Sequence, residues 1–596
     1  MIKKFIKKYF ESLVYFYSHL KYKVFIVFGF SLVVGILDSL GLTMFLPLLQ
    51  IVNDSSHINP ENLGNLSFNL DAILFFGINV NLLSILLIMA SFFLVKGLIY
   101  FLAGIYRVNV QESFITRLRF NNLKGLNSLS YKCFVRSDIG RIQNTLTGEV
   151  ERVARAFTFY FRSFQLGIMI LIYMSFAFLV NAQFALLVSL AGILANFFYK
   201  YLYNYTKKLS RNLTENTNVF QGLIIQNLTN YKYLKATNSL DNYGQKIYNN
   251  IKKIELSNKA LGKLDALQLA IREPILIILV VSIIYIQTTI LGSSLAPILI
   301  SLLFFYRALN YLMQMQMDWN RFLEVTGSVE NMTTFEKEMK QNREYSGVRK
   351  IVDSINTFEL SEVSFNYNST NVLKNINLKM KKNETIGFVG ESGSGKTTLV
   401  NIIAGLLRVE KGEYFINGVD SKEMDLKSLQ NKLGYITQDS AIFNDTIYNN
   451  VTFWAKKNEA NLNKFLKVIK KASLSDYLES LPQKENEVLG SNGINLSGGQ
   501  KQRICIAREL YKEVEILILD EATSSLDSET EKAIQLNIEQ LKGNYTLLII
   551  AHRIATIKNA DRIVVMKDSK ISDINSYENL ISDSPYFRKL VELQGA

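Results

Sequence analysis

The chain has 596 residues, more than one hydrophobic core accommodates, so two or more domains are expected. It is 48% hydrophobic but carries 66 Lys and Arg and 52 Asp and Glu residues, which indicates that apolar and charged side chains are segregated. The two cysteines, Cys133 and Cys505, are far apart and argue against a disulfide framework or a cysteine-ligated zinc site. No apolar run with a cleavage site follows the basic N-terminus, so no cleaved signal peptide is expected.

Long apolar stretches dominate the first half of the chain. Lys and Arg are absent between Lys23 and Lys96, where residues 24–52 and 80–106 are each long enough to cross a bilayer, which takes ~20 residues. Residues 163–199 and 264–319 hold two further runs each, separated by polar turns at 181–183 and 292–294. The pattern predicts six transmembrane crossings.

The distribution of basic residues predicts the orientation. The segments 53–80, 181–183 and 291–295 contain no Lys or Arg, whereas the alternate segments, 1–23, 107–162 and 200–263, are rich in basic residues. Because basic residues accumulate on the cytoplasmic side, both termini are expected in the cytoplasm. This bias also accounts for much of the net charge of +14 without a nucleic-acid partner. The long inner loops, 109–153 and 203–262, show helical spacing and are expected to extend the membrane helices into the cytosol.

The second half of the chain changes character. Residues 1–330 are assigned to the transmembrane domain, and residues 331–354 are charged and are assigned to a linker. From residue 355 to 596, short β-rich runs alternate with helical segments, which predicts an α/β domain.

A phosphate-binding loop follows the apolar strand predicted at 386–389. Glycines allow backbone N–H groups to surround phosphates, the following helix N-terminus favours their charge, and Lys396 reaches the terminal phosphates while Thr397 ligates Mg²⁺. The expected ATP-contacting positions are Gly390, Glu391, Ser392, Gly393, Ser394, Gly395, Lys396, Thr397 and Thr398.

A second apolar strand, predicted at 516–519, ends in two acids. Asp520 is placed to hold the hydration shell of Mg²⁺, and Glu521 to polarise the attacking water.

Between these motifs lies Leu496-Ser-Gly-Gly-Gln500, ahead of a helical run at 501–509. This sequence resembles the signature of the ATP-binding cassette (ABC) family, and nearly the whole chain resembles its exporters. The resemblance implies that Tyr367 stacks on adenine and that His552 senses the γ-phosphate. It implies three roles for Gln438, which would contact the membrane domain, take part in catalysis and ligate Mg²⁺. It also places Asp527 in a loop that crosses the dimer. The implied fold is an α-helical membrane domain of six transmembrane helices joined to an α/β P-loop nucleotide-binding domain.

The signature predicts a dimer. Ser497, Gly498, Gly499 and Gln500 form an anion site at a helix N-terminus. In the cassette fold this site is too far from its own phosphate loop to share one ATP, so two cassettes must enclose two nucleotides head to tail. A homodimer is expected, with a heterodimer containing a degenerate partner as the alternative. By resemblance, the helices near 130–138 and 220–231 dock beside Gln438, and 490–493 lacks the acidic residue that exporters often carry there.

Four ionisable residues within the apolar spans are candidates for the transport site: Asp38, Lys96, Arg272 and Arg307. Pairing between them, snorkelling, or a place in the cytosolic helix extensions is the alternative. Three cations suit an anionic group such as a diphosphate. Segments such as 38–47, 146–150 and 305–308 resemble the lipid-linked oligosaccharide flippases of bacterial protein N-glycosylation. That resemblance assigns substrate contacts to Lys96, Arg272 and Arg307. It also implies a lipid-contacting helix at 66–78, a segment that could equally be the start of the second crossing.

The leading hypothesis is therefore an ATP-driven homodimer in the cytoplasmic membrane that flips a lipid-linked oligosaccharide, or another polyprenyl-diphosphate lipid, outward. Export of lipid A, peptides or drugs is the alternative. A soluble ABC ATPase conflicts with the bilayer-length apolar runs, and an ATP-gated channel would use the same parts.

Overall fold

The computed structural model describes residues 13–45, 47–48, 81–180, 182–285, 289, 295–367, 370–520, 535–536, 538–551 and 553–594, with only the backbone given for parts of 180–204 and 268–302. The chain divides into two compact units. The first comprises residues up to 129 and 136–343, and the second comprises 130–135 and 344–596.

The first unit is helical. Six long helices lie in its described part: α1 (Lys23–Thr43), α2 (Leu82–Asn127), α5 (Val150–Val180), α6 (Ala182–Thr229), α8 (Leu240–Tyr285) and α9 (Leu295–Gln341). Within the described residues, three segments are long and apolar enough to cross a membrane: Lys23–Thr43, Leu82–Asn127 and Ile139–Leu179. α5 ends at Val180 and α6 begins at Ala182, inside the turn predicted at 181–183. The predicted segments 292–294 and 66–78 lie outside the described residues.

Where the residues between the long helices are described, they form three short helices and one π-turn: α3 (Tyr131–Arg136), α4 (Ile139–Asn144), the π-turn Thr145–Glu149, and α7 (Tyr231–Ala236). Helix α3 belongs to the second unit, where the Lys132 ammonium donates to Asn366 O at 3.2 Å and lies over the Phe365 ring. The segment 220–231, where the sequence predicts a docking helix, forms the end of α6 as far as Thr229, and α7 begins at its last residue, Tyr231.

Aromatic side chains hold the described core of the first unit together. Phe16, Phe114, Phe157, Tyr160 and Phe161 are almost completely buried, and their ring centroids lie 4.4–5.8 Å apart in contacting pairs. Such rings bury large areas and prefer these tilted and edge-to-face arrangements. The cluster joins α2 and α5 to the N-terminal segment.

The predicted boundary between the transmembrane domain and the linker, at residue 330, falls inside helix α9. The helix continues to Gln341, so the first part of the predicted linker 331–354 is helical. Val329, Met332, Phe335 and Met339 recur at helical spacing and are all buried. The charged residues between them misled the sequence interpretation because they occupy the opposite, more exposed face.

The described residues of the second unit form two sheets. An antiparallel sheet has the order β2-β1-β4-β5, formed by β1 (Thr357–Tyr367), β2 (Thr370–Lys381), β4 (Lys411–Ile416) and β5 (Val419–Asp420). A six-stranded sheet has the order β10-β9-β3-β8-β7-β6, formed by β3 (Thr385–Gly390), β6 (Leu433–Ile436), β7 (Ile516–Asp520), β8 (Thr546–Ile550), β9 (Arg562–Lys567) and β10 (Lys570–Asn575). The strands predicted around 386–389, 516–519 and 546–550 are confirmed.

Eight helices accompany these sheets among the described residues: α10 (Lys396–Ile403), α11 (Leu426–Asn431), α12 (Ile447–Thr452), α13 (Glu459–Lys471), α14 (Ser475–Ser480), α15 (Gly498–Tyr511), α16 (Tyr577–Asp583) and α17 (Pro585–Gln594). Strands β3, β7 and β8 are apolar along almost their whole length because both faces of the parallel sheet are covered.

Candidate functional site

The motif loops meet because of the strand order. β3, β8, β7 and β6 are consecutive parallel neighbours, and each is followed directly by a predicted site residue or loop. The carboxyl ends of parallel strands lie at one edge of a sheet, where α/β proteins bind ligands. The phosphate loop, Asp520 and Gln438 are therefore carried to the same edge.

The phosphate loop requires glycine at its turns. Gly390, Gly393 and Gly395 have φ values of 152°, 80° and 103°. A Cβ at Gly390 would lie 2.1 Å from Met566 O, and a Cβ at Gly395 would lie 2.7 Å from Val372 O. Side chains are therefore excluded at both positions, and the loop backbone remains available to phosphate oxygens.

The Lys396 ammonium lies inside the loop, donating to Gly390 O and Glu391 O at 2.9 Å each. Lys396 is nearly buried at the N-terminus of α10, so its charge is held within the loop. Ser394 Oγ is buried without a hydrogen-bond partner among the described residues. A polar, positively charged cradle of this kind fits a phosphate chain.

A cavity of about 780 Å³ opens beside the loop. Predicted site residues in its wall are Gly390, Glu391, Ser392, Gly393, Gly395, Lys396, Thr397, Thr398 and Gln438. Thr397 and Gln438 thus bring oxygen donors to one space, which suits Mg²⁺. No group of three or more His, Cys, Asp or Glu residues that could hold a metal occurs in the part of the chain that the structure describes.

Tyr435 on β6 holds the side chain of Asp520, the third predicted Mg²⁺ ligand, in place. Its phenol donates to Asp520 Oδ2 at 3.0 Å and lies 3.1 Å from Asn401 Oδ1. Burial, followed by the Asp520 carboxylate, raises the pKa of Tyr435, so the phenol keeps its proton for this bond. Sequence reasoning missed Tyr435; its place on the strand next to β7 was the available signal.

Tyr367, the predicted adenine-stacking residue, lies at the end of β1 and hydrogen-bonds the side chain of Thr398. Its ring meets Phe365 edge to face, with centroids 5.0 Å apart. Burial and the neighbouring Tyr131 raise the pKa of the Tyr367 phenol. The aromatic ring is therefore placed next to the helix that carries Lys396.

The signature begins helix α15. Ser497 caps this helix in a reciprocal pair, since Ser497 Oγ accepts from Gln500 N at 3.3 Å and Gln500 Oε1 accepts from Ser497 N at 2.9 Å. In the preceding segment, Gly490 to Gly493, the Lys501 ammonium donates to Asn492 O at 2.8 Å. This segment, which lacks the acidic residue, thus accepts a hydrogen bond from a cationic side chain of its own cassette.

Helix α17 contributes residues that the sequence analysis did not predict. Leu590, Leu593 and Gln594 line the same cavity as Lys396. Gln594 Oε1 also accepts from Ile554 N at 2.8 Å, in the turn directly after residue 552. Three other predicted residues, Glu521, Asp527 and His552, lie outside the described residues. In sequence, Glu521 directly follows β7 and His552 is the second residue after β8.

A second group of candidates meets in the first unit. Asp38 on α1 is completely buried and forms ion pairs with Lys96 on α2 and with Arg307 on α9, whose Nη1 lies 3.2 Å from Asp38 Oδ2. The hydroxyl of Tyr173 on α5 donates to the same carboxylate. The side chain of Arg272 lies outside the described residues, and its backbone belongs to α8. Two of the three predicted substrate cations are thus brought together.

A glycine cradle at the carboxyl edge of a parallel sheet, with oxygen donors facing the same cavity, defines the second unit as a P-loop nucleotide-binding domain. Two family models match the chain: "ABC transporter transmembrane region" over residues 24–317 and "ABC transporter" over residues 373–524. The chain belongs to the ABC transporters, as a half-transporter that joins one exporter-type membrane region to one ATP-binding cassette. The cassette match indicates ATP hydrolysis coupled to transport.

Individual relatives add detail. The ATP-dependent lipid A-core flippase of Desulfotalea psychrophila is 29% identical over 515 residues, covering 85% of this chain and 89% of the relative. That of Syntrophus aciditrophicus is 42% identical over 236 residues, covering 40% of this chain and 39% of the relative. The chain therefore spans about two fifths of the length of that relative. A bacterial Atm1-family ABC exporter with ATP bound has a TM-score of 0.77 at 22% identity, covering 97% and 99% of the two chains, which shows the common fold.

Proposed function

We propose that two copies of this chain form an ABC exporter that hydrolyses ATP to flip a phosphate-bearing lipid outward across the cytoplasmic membrane. The observation that carries the proposal is the convergence of Lys96 and Arg307 on one point of a helical membrane region. Cations within apolar spans are costly and mark substrate pathways by default. A lipid with an anionic headgroup is the substrate class that these cations suit.

The cassette supplies the energy. When ATP is bound, the phosphate loop with Lys396 would surround its phosphates. Thr397, Gln438 and Asp520 would hold Mg²⁺, and the ion would supply positive charge to offset the charge on the transferred phosphate. Glu521 polarises the attacking water, and His552 contacts the γ-phosphate. Ser497 of a second copy closes the opposite side of the nucleotide, and hydrolysis releases this contact.

The finer proposal is a polyprenyl-diphosphate lipid that carries an oligosaccharide, because a diphosphate matches a cluster of cations from several helices. The second candidate is lipid A, favoured by the names of the relatives in Desulfotalea psychrophila and Syntrophus aciditrophicus. Both lipids bear phosphates, so the cation cluster serves either.

The test is ATPase activity of the full chain in nanodiscs with undecaprenyl diphosphate, lipid A or neutral undecaprenol added. We expect stimulation by a phosphate-bearing lipid and loss of that stimulation in the Arg272→Ala/Arg307→Ala variant. Arg321→Ala is a matched control, since Arg321 lies on α9 with Arg307 but contacts Asp265. Unchanged stimulation in the double variant contradicts a substrate role for the cations.

A further inference from the structure

Asp38 is the point at which four helices of the first unit meet through polar contacts. The carboxylate comes from α1, and its partners Lys96, Tyr173 and Arg307 come from α2, α5 and α9. Its surroundings are apolar, since Val34, Leu42, Met169 and Phe304 are buried nearby in one cluster. A buried carboxylate is tolerated in such surroundings because charged and hydrogen-bonding partners compensate for lost hydration.

The exposure of the three charged side chains is unequal. The Asp38 side chain is 0% exposed, whereas those of Lys96 and Arg307 are 23% and 37% exposed. The carboxylate is thus sealed behind the two cations, and the cations present their outer sides to the surroundings. Arg307 directs Nη1 at Asp38, and a guanidinium has five N–H donors, so the group can hold a second anion.

We propose that Asp38 is an internal counter-anion that competes with the transported headgroup for Lys96 and Arg307. This inference rests on the proposed function and adds to it a residue that sets affinity and release. Without substrate, the carboxylate holds both cations; an arriving phosphate-bearing headgroup draws them outward, and Asp38 recovers them when the headgroup leaves. Asp38 is a positioning residue, since it acts on the substrate through the cations.

Tyr173 lowers the energetic cost of this exchange. Its hydroxyl donates to Asp38, and its ring is fully buried and stacked on Tyr311 with centroids 5.4 Å apart, so the donor is held in place. A carboxylate that retains one donor avoids the full penalty of an unpaired buried charge when a cation turns away. Lys96 is also supported outside the ion pair, since its ammonium lies 5.3 Å from the centroid of Phe93.

The exchange also links binding to helix contacts. Lys96 and Arg307 tie α2 and α9 to α1 through the same carboxylate, so a headgroup that takes over these cations weakens both ties at once. Binding and release of the lipid are then coupled to the packing of these helices, as a ligand shifts an equilibrium by its differential contacts in the two states.

The experiment measures ATPase activity of the full chain in phosphatidylcholine nanodiscs against the mole fraction of undecaprenyl diphosphate. Asp38→Asn removes the competing charge, so we expect the half-stimulating fraction to fall on the order of tenfold, as typical of coupling between two ligands. Maximal stimulated turnover should fall because release is slower. Tyr173→Phe retains Asp38 and both cations but removes the donor that Asp38 keeps, so it should raise rather than lower the half-stimulating fraction.

A second pair of variants covers the case in which Asp38→Asn misfolds with two uncompensated cations. Lys96→Gln leaves Arg307 neutralised by Asp38 and should bind the diphosphate poorly. Lys96→Gln/Asp38→Asn restores one net positive charge and should recover the response by on the order of tenfold. Equal half-stimulating fractions in these two variants, or in wild type and Asp38→Asn, would overturn the inference while leaving a stimulated wild type and the proposed function intact. A wild type that responds to neither undecaprenyl diphosphate nor lipid A overturns both.

Discussion

The phenol of Tyr435 donates a hydrogen bond to Asp520 Oδ2 across 3.0 Å, joining the ends of two neighbouring parallel strands. Asp520 is the proposed acid of the Mg²⁺ site, and Tyr435 restricts its orientation. The bond therefore ties the strand that leads to Gln438 to the strand that carries Asp520. Two of the proposed metal-holding residues are thus positioned by one contact.

Tyr435→Phe should weaken this positioning without emptying the core. A hydrogen bond to a charged group contributes about 1.5–3 kcal/mol, so we expect ATP turnover to fall roughly tenfold and half-saturating Mg²⁺ to rise. The measurement is ATPase activity of the full chain against Mg²⁺ concentration. Tyr511→Phe is the matched control, since its ring contacts Lys464 on the surface of the cassette. An unchanged Mg²⁺ profile in Tyr435→Phe contradicts the positioning role.

Gln594 should control the turn that follows His552. Its Oε1 accepts from Ile554 N, so Gln594→Ala releases the backbone next to the proposed γ-phosphate sensor. We expect a severalfold lower maximal turnover with little change in ATP affinity, since one neutral hydrogen bond contributes about 1 kcal/mol. Gln594→Glu keeps the acceptor oxygen and should retain more activity than Gln594→Ala. Equal activity in the two variants excludes a role for that hydrogen bond.

The sequence signals from which the nucleotide site is predicted are local along the chain. A strand, a glycine turn and a helix around Lys396 are contiguous, and the strand of Asp520 ends where the apolar run ends. Tyr435 and Gln594 were missed because their contacts join residues 85 and 40 positions apart, and no periodicity encodes such pairs.

In the membrane domain too, local signals were readable from the sequence and contacts between distant residues were not. Each intramembrane charge was recognisable from its apolar surroundings, but the sequence left open whether these charges pair. The structure shows that Asp38 pairs with Lys96 and Arg307, which are 58 and 269 positions away. This pairing depends on how α1, α2 and α9 pack, and helix packing of this kind is not readable from a single span.

Glu515 should make cassette stability depend on acid pH. Burial raises its pKa, but the ion pair with Lys432 and hydrogen bonds from Ile355 N and Ser354 hold the pKa of Glu515 below its ordinary value of 4.5. A lowered native pKa gives stability that is fully present above the unfolded-state value and is lost as the pH falls through the native value. The contribution is on the order of 1 kcal/mol, because solvent screens a partly exposed pair.

The check is thermal unfolding of the full chain followed between pH 7 and pH 3.5, in wild type and Glu515→Gln. We expect wild type to be more stable at neutral pH and the difference to shrink below pH 4.5. A difference that grows on acidification has the wrong sign for a lowered pKa. Glu513→Gln is a neighbouring control, since Glu513 is more exposed in its pair with Lys464.

The extension of α9 beyond residue 330 predicts a stability difference between its two faces. Phe335 is 1% exposed. Its neighbours on α9 contact α2: Met332 Sδ accepts a hydrogen bond from Asn122, and Met339 packs on Gly125. Phe335→Ala should therefore cost about 3–5 kcal/mol of unfolding free energy, the usual loss for a buried phenylalanine.

Glu338 lies on the same stretch but is 39% exposed in an ion pair with Arg141, so Glu338→Ala should cost less than about 1 kcal/mol. Thermal and denaturant unfolding of both variants in lipid nanodiscs distinguishes a charged linker from a helix that continues the membrane domain. In a charged linker, both substitutions would be tolerated almost equally, because neither side chain would be packed. In a helix that continues the membrane domain, only Phe335 removes a packed contact, and its loss should lower the stability of the first unit while ATP binding by the cassette persists.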